Sequence, residues 1–404
     1  MIRNLFVTVF FLTTLVGCTP VLPRTQTQSP SVLPSTLPRT PTIVSPIATV
    51  HPVSGGVFER CVTVSSQPGD FHLTGIVPIR PFNHTASLEV SLLNLEDGTS
   101  ISLMEEYITI WDAHVSPDRK TLAFTGLNRA TSKWELVLAD TAGKRQIVAW
   151  SDDERFYFQG WLNNHQLVVR QSSVYIIVDP YQNLQEKLNP AEFPDFDTYN
   201  ERQFFVAFDP LLEKAIYKYG DSILLDLNTM KILARIQDGY DRIPIVAWLP
   251  SGERAAVVGT LNIKEKSFFP PDEIFIVERD GQVEQLTHLY EIFGRGFEID
   301  HLSWSPDGTK IAFGGSISDR SDESIVTVVD VLSGKMLNYC ALNIFGDNSS
   351  LHISAPVWSP DGKQFLVEHL YQGGSSVLWV VDANENVAFI IAENQSPIGW
   401  TTAP

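Results

Sequence analysis

The stretch LSWSPDGTKIAFGG, residues 302–315, reads as strand, tight turn, strand. Ser305-Pro306-Asp307-Gly308 meets the preferences of a type I turn in order, with Ser first, Pro pre-set for the second position and Gly fourth. Before the turn Leu302 and Trp304 alternate with polar neighbours. After it Ile311, Ala312 and Phe313 form a short apolar run of β character. The unit recurs: PVWSPDGKQFLVEH (356–369) is a near copy, AHVSPDRKTLAFTG (113–126) a close one and VAWLPSGERAAVVG (246–259) a worn one. A recurring unit predicts an array of similar modules, and that decides the fold.

Two weaker copies, QGWLNNHQLVV (159–169) and VAFDPLLEKAIY (206–217), keep the flanking strands and replace the turn. Aligned on the residue before the turn, the anchors are Val115, Trp161, Phe208, Trp248, Trp304, Trp358 and Trp400, spaced by 46, 47, 40, 56, 54 and 42 residues. Each anchor up to Trp358 is followed by a second hairpin, as in WELVLADTAGKRQIV (134–148) and SVLWVVDANENVAFII (376–391). That period suits a four-stranded blade. The chain is therefore expected to be an all-β propeller over 57–404 with seven blades, six or eight being the alternatives. FHLTGIVPI (71–79) and SLEVSLLNLEDGTSISL (87–103) supply three strands of a first unit, whereas Trp400 has no strands after it. The C-terminal strand is expected to enter that first blade as its innermost strand, which closes the ring and leaves no inner edge exposed. A rival assignment gives that place to VFERCVTV (57–64).

WSPDGTKIAF and WSPDGKQFLV resemble the repeat of TolB-type β-propellers, found also in the propeller domains of prolyl oligopeptidase-like enzymes. Two copies match closely, two in part and the rest by spacing. The resemblance covers nearly all of 57–404 and implies the fold, which hosts many functions. The α/β domain that precedes the propeller in TolB has no counterpart here.

Residues 1–17 place an apolar stretch, Leu5 to Leu15, after Arg3 and before Gly17-Cys18. Its length suits a secretion signal rather than a membrane span. The ending LVGC resembles a bacterial lipobox, which implies a diacylglyceryl group on Cys18; an ordinary signal with an incidental cysteine is the alternative. Residues 18–56 carry eight prolines among Thr and Ser and no acid, so they read as a disordered tether. At about 3 Å per residue it reaches on the order of 100 Å. The expected location is therefore extracytoplasmic, anchored to the bacterial membrane through Cys18.

The chain carries a formal charge of −18; Arg3, Arg24 and Arg39 are the only charged residues of 1–56, so 57–404 carry −21. Such a balance argues against nucleic acid as a partner, because phosphate binding needs basic clusters. Beyond Cys18 the remaining cysteines, Cys61 and Cys340, form an even pair in an oxidising compartment, either joined or buried as free thiols.

In a four-stranded meander the Ser-Pro-Asp-Gly turns share one face, and long insertions fall on the other. Those at 126–133, 189–202, 260–272, 288–299, 314–323, 343–355 and 369–375 hold Phe193, Phe196, Tyr199, Phe268, Phe269, Tyr290, Phe293, Phe297, Phe345 and Tyr371. Aromatic residues on scaffolded loops make a candidate binding face for an envelope protein or glycan, although about half are expected to pack the loops down instead. No Gly-x-Ser-x-Gly, His-Glu-x-x-His or Cys-x-x-Cys occurs, so no catalytic residue, metal ligand or cofactor is assigned. Ser318–Glu323 is a weak candidate for calcium. The leading expectation is an interaction module. The alternative is a metal-assisted hydrolase or lactonase at the axial mouth, which requires carboxylates or histidines converging from several blades.

Overall fold

In the computed structural model the turn forms as its residues dictate. The Gly308 N–H donates to Ser305 O at 2.9 Å, and Gly308 takes φ +69°. Ser305 is buried; its Oγ donates to Asp307 Oδ1 at 2.6 Å and accepts from Lys310 N at 2.9 Å, pinning the neck of the hairpin. Ser116 and Ser359 repeat the device, each accepting from the backbone five residues on at 3.0 Å. The left-handed position at the turn's end is Gly308, Gly362 and Gly252 in three copies, but Arg119 (φ 63°) and Leu212 (φ 55°) in two others. A side chain there costs about 1 kcal/mol, which explains why the sequence signal fades while the turn persists.

The structure describes residues 63–64, 76–81, 90–103, 107–140, 144–195, 205–238, 244–260, 272–293, 297–317, 320–340, 350–371, 374–384 and 387–401. They form seven antiparallel four-stranded blades in a ring. From the axis outward, blade 2 comprises Tyr107–Val115, Thr121–Asn128, Trp134–Asp140 and Arg145–Asp152. Blade 3 comprises Tyr157–Trp161, Leu167–Gln171, Val174–Asp179 and Leu184–Leu188, and blade 4 Val206–Phe208, Lys214–Tyr219, Asp221–Asp226 and Lys231–Ile236. Blade 5 comprises Val246–Trp248, Arg254–Thr260, Asp272–Glu278 and Val283–Gln285, and blade 6 Phe297–Trp304, Lys310–Ile317, Arg320–Asp330 and Met336–Cys340. Blade 7 has a split inner strand, Ser350–Ile353 and Val357–Trp358, followed by Gln364–Tyr371, Ser376–Asp382 and Val387–Glu393.

Blade 1 is assembled from both ends of the propeller. Gln395–Pro397 pairs with Ile79–Pro81, and Val90–Asn94 and Ser100–Leu103 complete the sheet. The C-terminal strand therefore closes the ring, as the position of Trp400 predicts. The rival strand does something else: Thr63–Val64 pairs parallel with Val387–Ala388, outside the last strand of blade 7.

The hydrophobic core is divided into seven clusters, one per interface between neighbouring blades. Both faces of a blade are covered, so central strands are near-continuous apolar runs. In blade 5, Ala255 to Thr260 are all buried. The 314–323 insertion is corrected by the structure. Lys310–Ile317 and Arg320–Asp330 are paired strands, so Gly314 and Gly315 do not open a loop. A Cβ on Gly315 would lie 2.5 Å from Glu298 O on the paired inner strand, and one on Gly314 2.8 Å from the Ile353 side chain of blade 7; glycine lets the backbone and the next blade approach there. Helix is confined, among the described residues, to Leu289–Phe293 and the 3-10 turn Pro190–Glu192.

Candidate binding site at the axial channel

Three of the loop aromatics face inward. Phe193 packs on Tyr217 with ring centres 5.4 Å apart, Phe297 meets Phe313 edge-on at 6.4 Å, and Tyr371 lies against His369 at 4.7 Å. All three are buried, so they hold their segments onto the blades. Tyr290 is half-buried on the Leu289–Phe293 helix, which Phe293 ends. Phe196, Tyr199, Phe268, Phe269 and Phe345 lie outside the described residues, as do Cys18 and Cys61; Cys340 ends the outer strand of blade 6.

The helix bearing Tyr290 hangs on one carboxylate. Glu273 is buried and accepts from Thr287 Oγ1 (2.6 Å), Leu289 N (2.9 Å) and Tyr290 N (2.9 Å). Burial pushes its pKa up to about 7, the three donors opposing that shift. Its unfolded value is near 4.5, so between these limits the folded state holds a proton that the unfolded state has lost. Stability from this group is complete below pH 4.5 and falls as pH rises to 7, by on the order of 3 kcal/mol. Urea unfolding of the wild type from pH 4.5 to 8 is expected to show this slope, and Glu273→Gln to remove it. A wild-type stability flat across that window would contradict the assignment.

The axis is built by the anchor residues. Trp161 Nε1 donates to His114 O (3.1 Å), Trp248 to Ala207 O (3.1 Å), Trp304 to Ala247 O (2.9 Å) and Trp358 to Ser303 O (3.2 Å). Each acceptor is the residue just before the anchor of the preceding blade, so the indoles tie successive inner strands in register. Between blades 3 and 4 the anchor is Phe208, which has no donor, and the residue facing it in sequence register is Gly160. Gly160 has φ +136°, and a Cβ there would meet nothing within 4 Å. A cavity of about 540 Å³ occupies that region, lined by the inner strands and turns of blades 2 to 5. Its polar groups include Gln159, Asn164 and His114, its aromatic walls Trp161, Phe208 and Trp248, and among the described residues no carboxylate, lysine or arginine lines it.

Toward the other end of the same inner strands lies a charged cluster. The Arg155 guanidinium sits 4.4 Å from the Trp111 ring centre, 4.7 Å from Tyr157 and 5.4 Å from Trp134, while Arg170 lies 5.5 Å from Tyr157. Trp111 and Tyr157 are each 38 % exposed. Asp112 occupies a bulge of the blade 2 inner strand with φ 44°, a left-handed conformation that Asp tolerates. Burial raises its pKa, opposed by the charges of Arg155, Arg80 and Arg170, and its Oδ2 has no hydrogen-bond partner. His114 lines the cavity with its ring open to the channel. The crowding protein and the Arg80 charge lower its pKa, although contact with channel water works against the first of these. The ring is neutral at pH 7.

Arrays of this kind escape a linear reading, because their members stand on three blades and no motif connects them. The available signal was an inner strand departing from the repeat: Trp111-Asp112-Ala113-His114 precedes the one repeat anchor that is valine. For an enzyme the channel offers Asp112 and His114, both from blade 2. Their neighbours from other blades are arginines and aromatic rings. Among the described residues no group of three or more His, Cys, Asp or Glu could hold a metal ion.

No family model matches the chain, and no curated protein matches it. Solved structures similar to it include TolB from Acinetobacter baumannii, 14% identical over 81% of this chain and 67% of that one, with a TM-score of 0.43. Others are the Cps50 (Swd1) β-propeller domain of Myceliophteria thermophila, 14% identical over 77% and 97%, TM-score 0.48, and a putative TolB from Agrobacterium tumefaciens, 15% identical over 62% and 84%, TM-score 0.40. At such identities the shared property is the fold. The strand pairing makes the chain a seven-bladed β-propeller, and its Ser-Pro-Asp-Gly turns are similar to those of TolB-type repeats.

Proposed function

We propose that the protein is an interaction module of the bacterial cell envelope, held to the membrane by lipidated Cys18 on its Pro/Thr-rich tether, that captures a protein or glycan at the axial mouth of its propeller. The observation that carries the binding site is the exposed Trp111–Arg155–Tyr157 layer at that mouth. Partly exposed aromatic rings stacked on a cation are recognition surfaces rather than core, and here they stand on rigid inner strands. The envelope location is supported by the apolar stretch 5–15, LVGC and the proline-rich residues that follow.

Two experiments test the reading. Cys18→Ser is expected to move the protein from the membrane fraction to the soluble fraction; unchanged retention would refute lipid anchoring. Capture of partners from envelope extracts is expected to fall at least tenfold for Trp111→Ala combined with Tyr157→Ala. Equal capture by the variant would remove the axial mouth from the binding site.

A further inference from the structure

We infer that the cavity at the seam of blades 3 and 4 binds a neutral, planar N–H heteroaromatic small molecule, of which indole is the simplest. The site is separate from the Trp111–Arg155–Tyr157 mouth and is assigned independently of it.

The ring of anchors shows what such a seam is built to hold. Where the anchor is tryptophan, a flat indole sends its N–H to a backbone carbonyl of the preceding blade, as Trp304 does to Ala247 O and Trp358 to Ser303 O. Phe208 breaks the series, because a phenyl ring carries no N–H to offer Gly160 O. Its ring meets Tyr175, on the third strand of blade 3, edge-on with centres 5.4 Å apart.

Val115 breaks the series too, but there the chain closes the gap with its own backbone. A Cβ on Gly399 of blade 1 would lie 2.2 Å from Val115 Cγ2. At Gly160 a Cβ would meet nothing within 4 Å among the described residues, and the cavity of about 540 Å³ includes this position in its lining. One interruption is packed shut and the other is left open. The open one also bares its neighbours. Trp304, Trp358 and Trp400 are buried, whereas Trp161 and Trp248, which wall the cavity, are half-buried.

What the walls present selects the ligand. Half-exposed indoles offer π-faces and edges to another flat ring. The volume falls within the roughly 300–1,000 Å³ typical of small-ligand sites. Among the described residues the polar side chains of the lining are amides and one imidazole, with no carboxylate, lysine or arginine. A charged ligand would lose water there without gaining an ionic partner, so the ligand is neutral. Supplying the absent rung takes a flat ring with a donor on its edge. A sugar brings donors but a puckered ring.

The test is equilibrium titration of the full chain with indole, followed by saturation-transfer NMR of the ligand. 1-Methylindole keeps the ring and removes the donor, cellobiose supplies a neutral sugar, and N-acetyltryptophanamide carries the indole on a peptide unit. Indole is expected to bind at least fivefold tighter than each of the three. Phe208→Trp, which grows the rung from inside the chain, is expected to weaken indole binding at least tenfold. Trp111→Ala with Tyr157→Ala is expected to leave indole affinity within about twofold of wild type. Should Phe208→Trp disturb folding, the wild-type preference for indole over 1-methylindole decides. Absence of indole binding, equal binding of 1-methylindole, or full affinity in a folded Phe208→Trp protein would each overturn the inference. Tighter binding of cellobiose would make the cavity a sugar site, and of N-acetyltryptophanamide a peptide site; either result overturns the ligand class. Loss of indole binding in the mouth variant would overturn the separation of the two sites. If indole fails to bind while extract capture still depends on Trp111 and Tyr157, this inference falls and the interaction module stands.

Discussion

A chain truncated after Asn394 is expected to lose its cooperative unfolding transition. Gln395–Pro397 is the inner strand of blade 1, and beyond it Ile398 N donates to Pro78 O at 2.8 Å. Trp400 is 3% exposed and packs with Val77, Ile79, Leu366, Leu378 and Phe389 at the interface of blades 7 and 1. Loss of a buried tryptophan alone costs about 3–5 kcal/mol. Truncation also frees the edge of Ile76–Pro81 and uncovers apolar surface on two neighbours. Domain stability is typically about 5–15 kcal/mol, so little is expected to remain. Gly399→Val tests the same closure with the chain length intact. A Cβ at Gly399 would lie 2.2 Å from Val115 Cγ2, so the closing strand must shift or lift away. Thermal melts followed by near-UV circular dichroism check both variants. A truncated protein melting within a degree or two of wild type would show that the ring does not depend on this strand.

Arg279→Met is expected to cost about 3–5 kcal/mol, the range for leaving a buried charge without its partner. Asp209 is fully buried at the position that serine holds in the turns of blades 2, 6 and 7. Its Oδ1 accepts from Glu213 N (2.7 Å) and Lys214 N (2.6 Å), doing the work of the Ser305 hydroxyl. Its Oδ2 takes Arg279 Nη1 at 2.6 Å across the boundary from blade 5, and Arg279 also reaches Gly252 O (2.7 Å) and Glu213 Oε2 (2.6 Å). Adding Asp209→Ser to Arg279→Met removes the stranded charge and installs the device of the serine turns in blades 2, 6 and 7. The double variant is expected to recover more than half of the loss in urea unfolding. If it is no more stable than Arg279→Met, the ion pair is not what the arginine contributes.

The sequence announced the blades because a turn is a local event. Ser305-Pro306-Asp307-Gly308 needs nothing outside its own residues to form, and copies of it at the right spacing define a propeller. Blade 4 was harder to read because Asp209 and Leu212 perform the roles of Ser and Gly with other chemistry, one of them completed by Arg279, 70 residues away. Three of the candidate loop aromatics turn out to be core for a related reason. Phe193, Phe297 and Tyr371 lie close to strand ends, where a large apolar ring is drawn into the seam between blades. Trp111, Arg155 and Tyr157, by contrast, acquire meaning only when two inner strands stand side by side.

The two ends of the propeller carry mechanical load differently. Tension applied through whatever precedes residue 63 falls first on Thr63–Val64, a two-residue strand fastened outside blade 7. The ring itself is latched by the opposite terminus, in blade 1. A pull from that side therefore peels the short Thr63–Val64 strand before it reaches Ile76. A propeller built this way can be pulled from its N-terminal side without its closure being the first thing to yield.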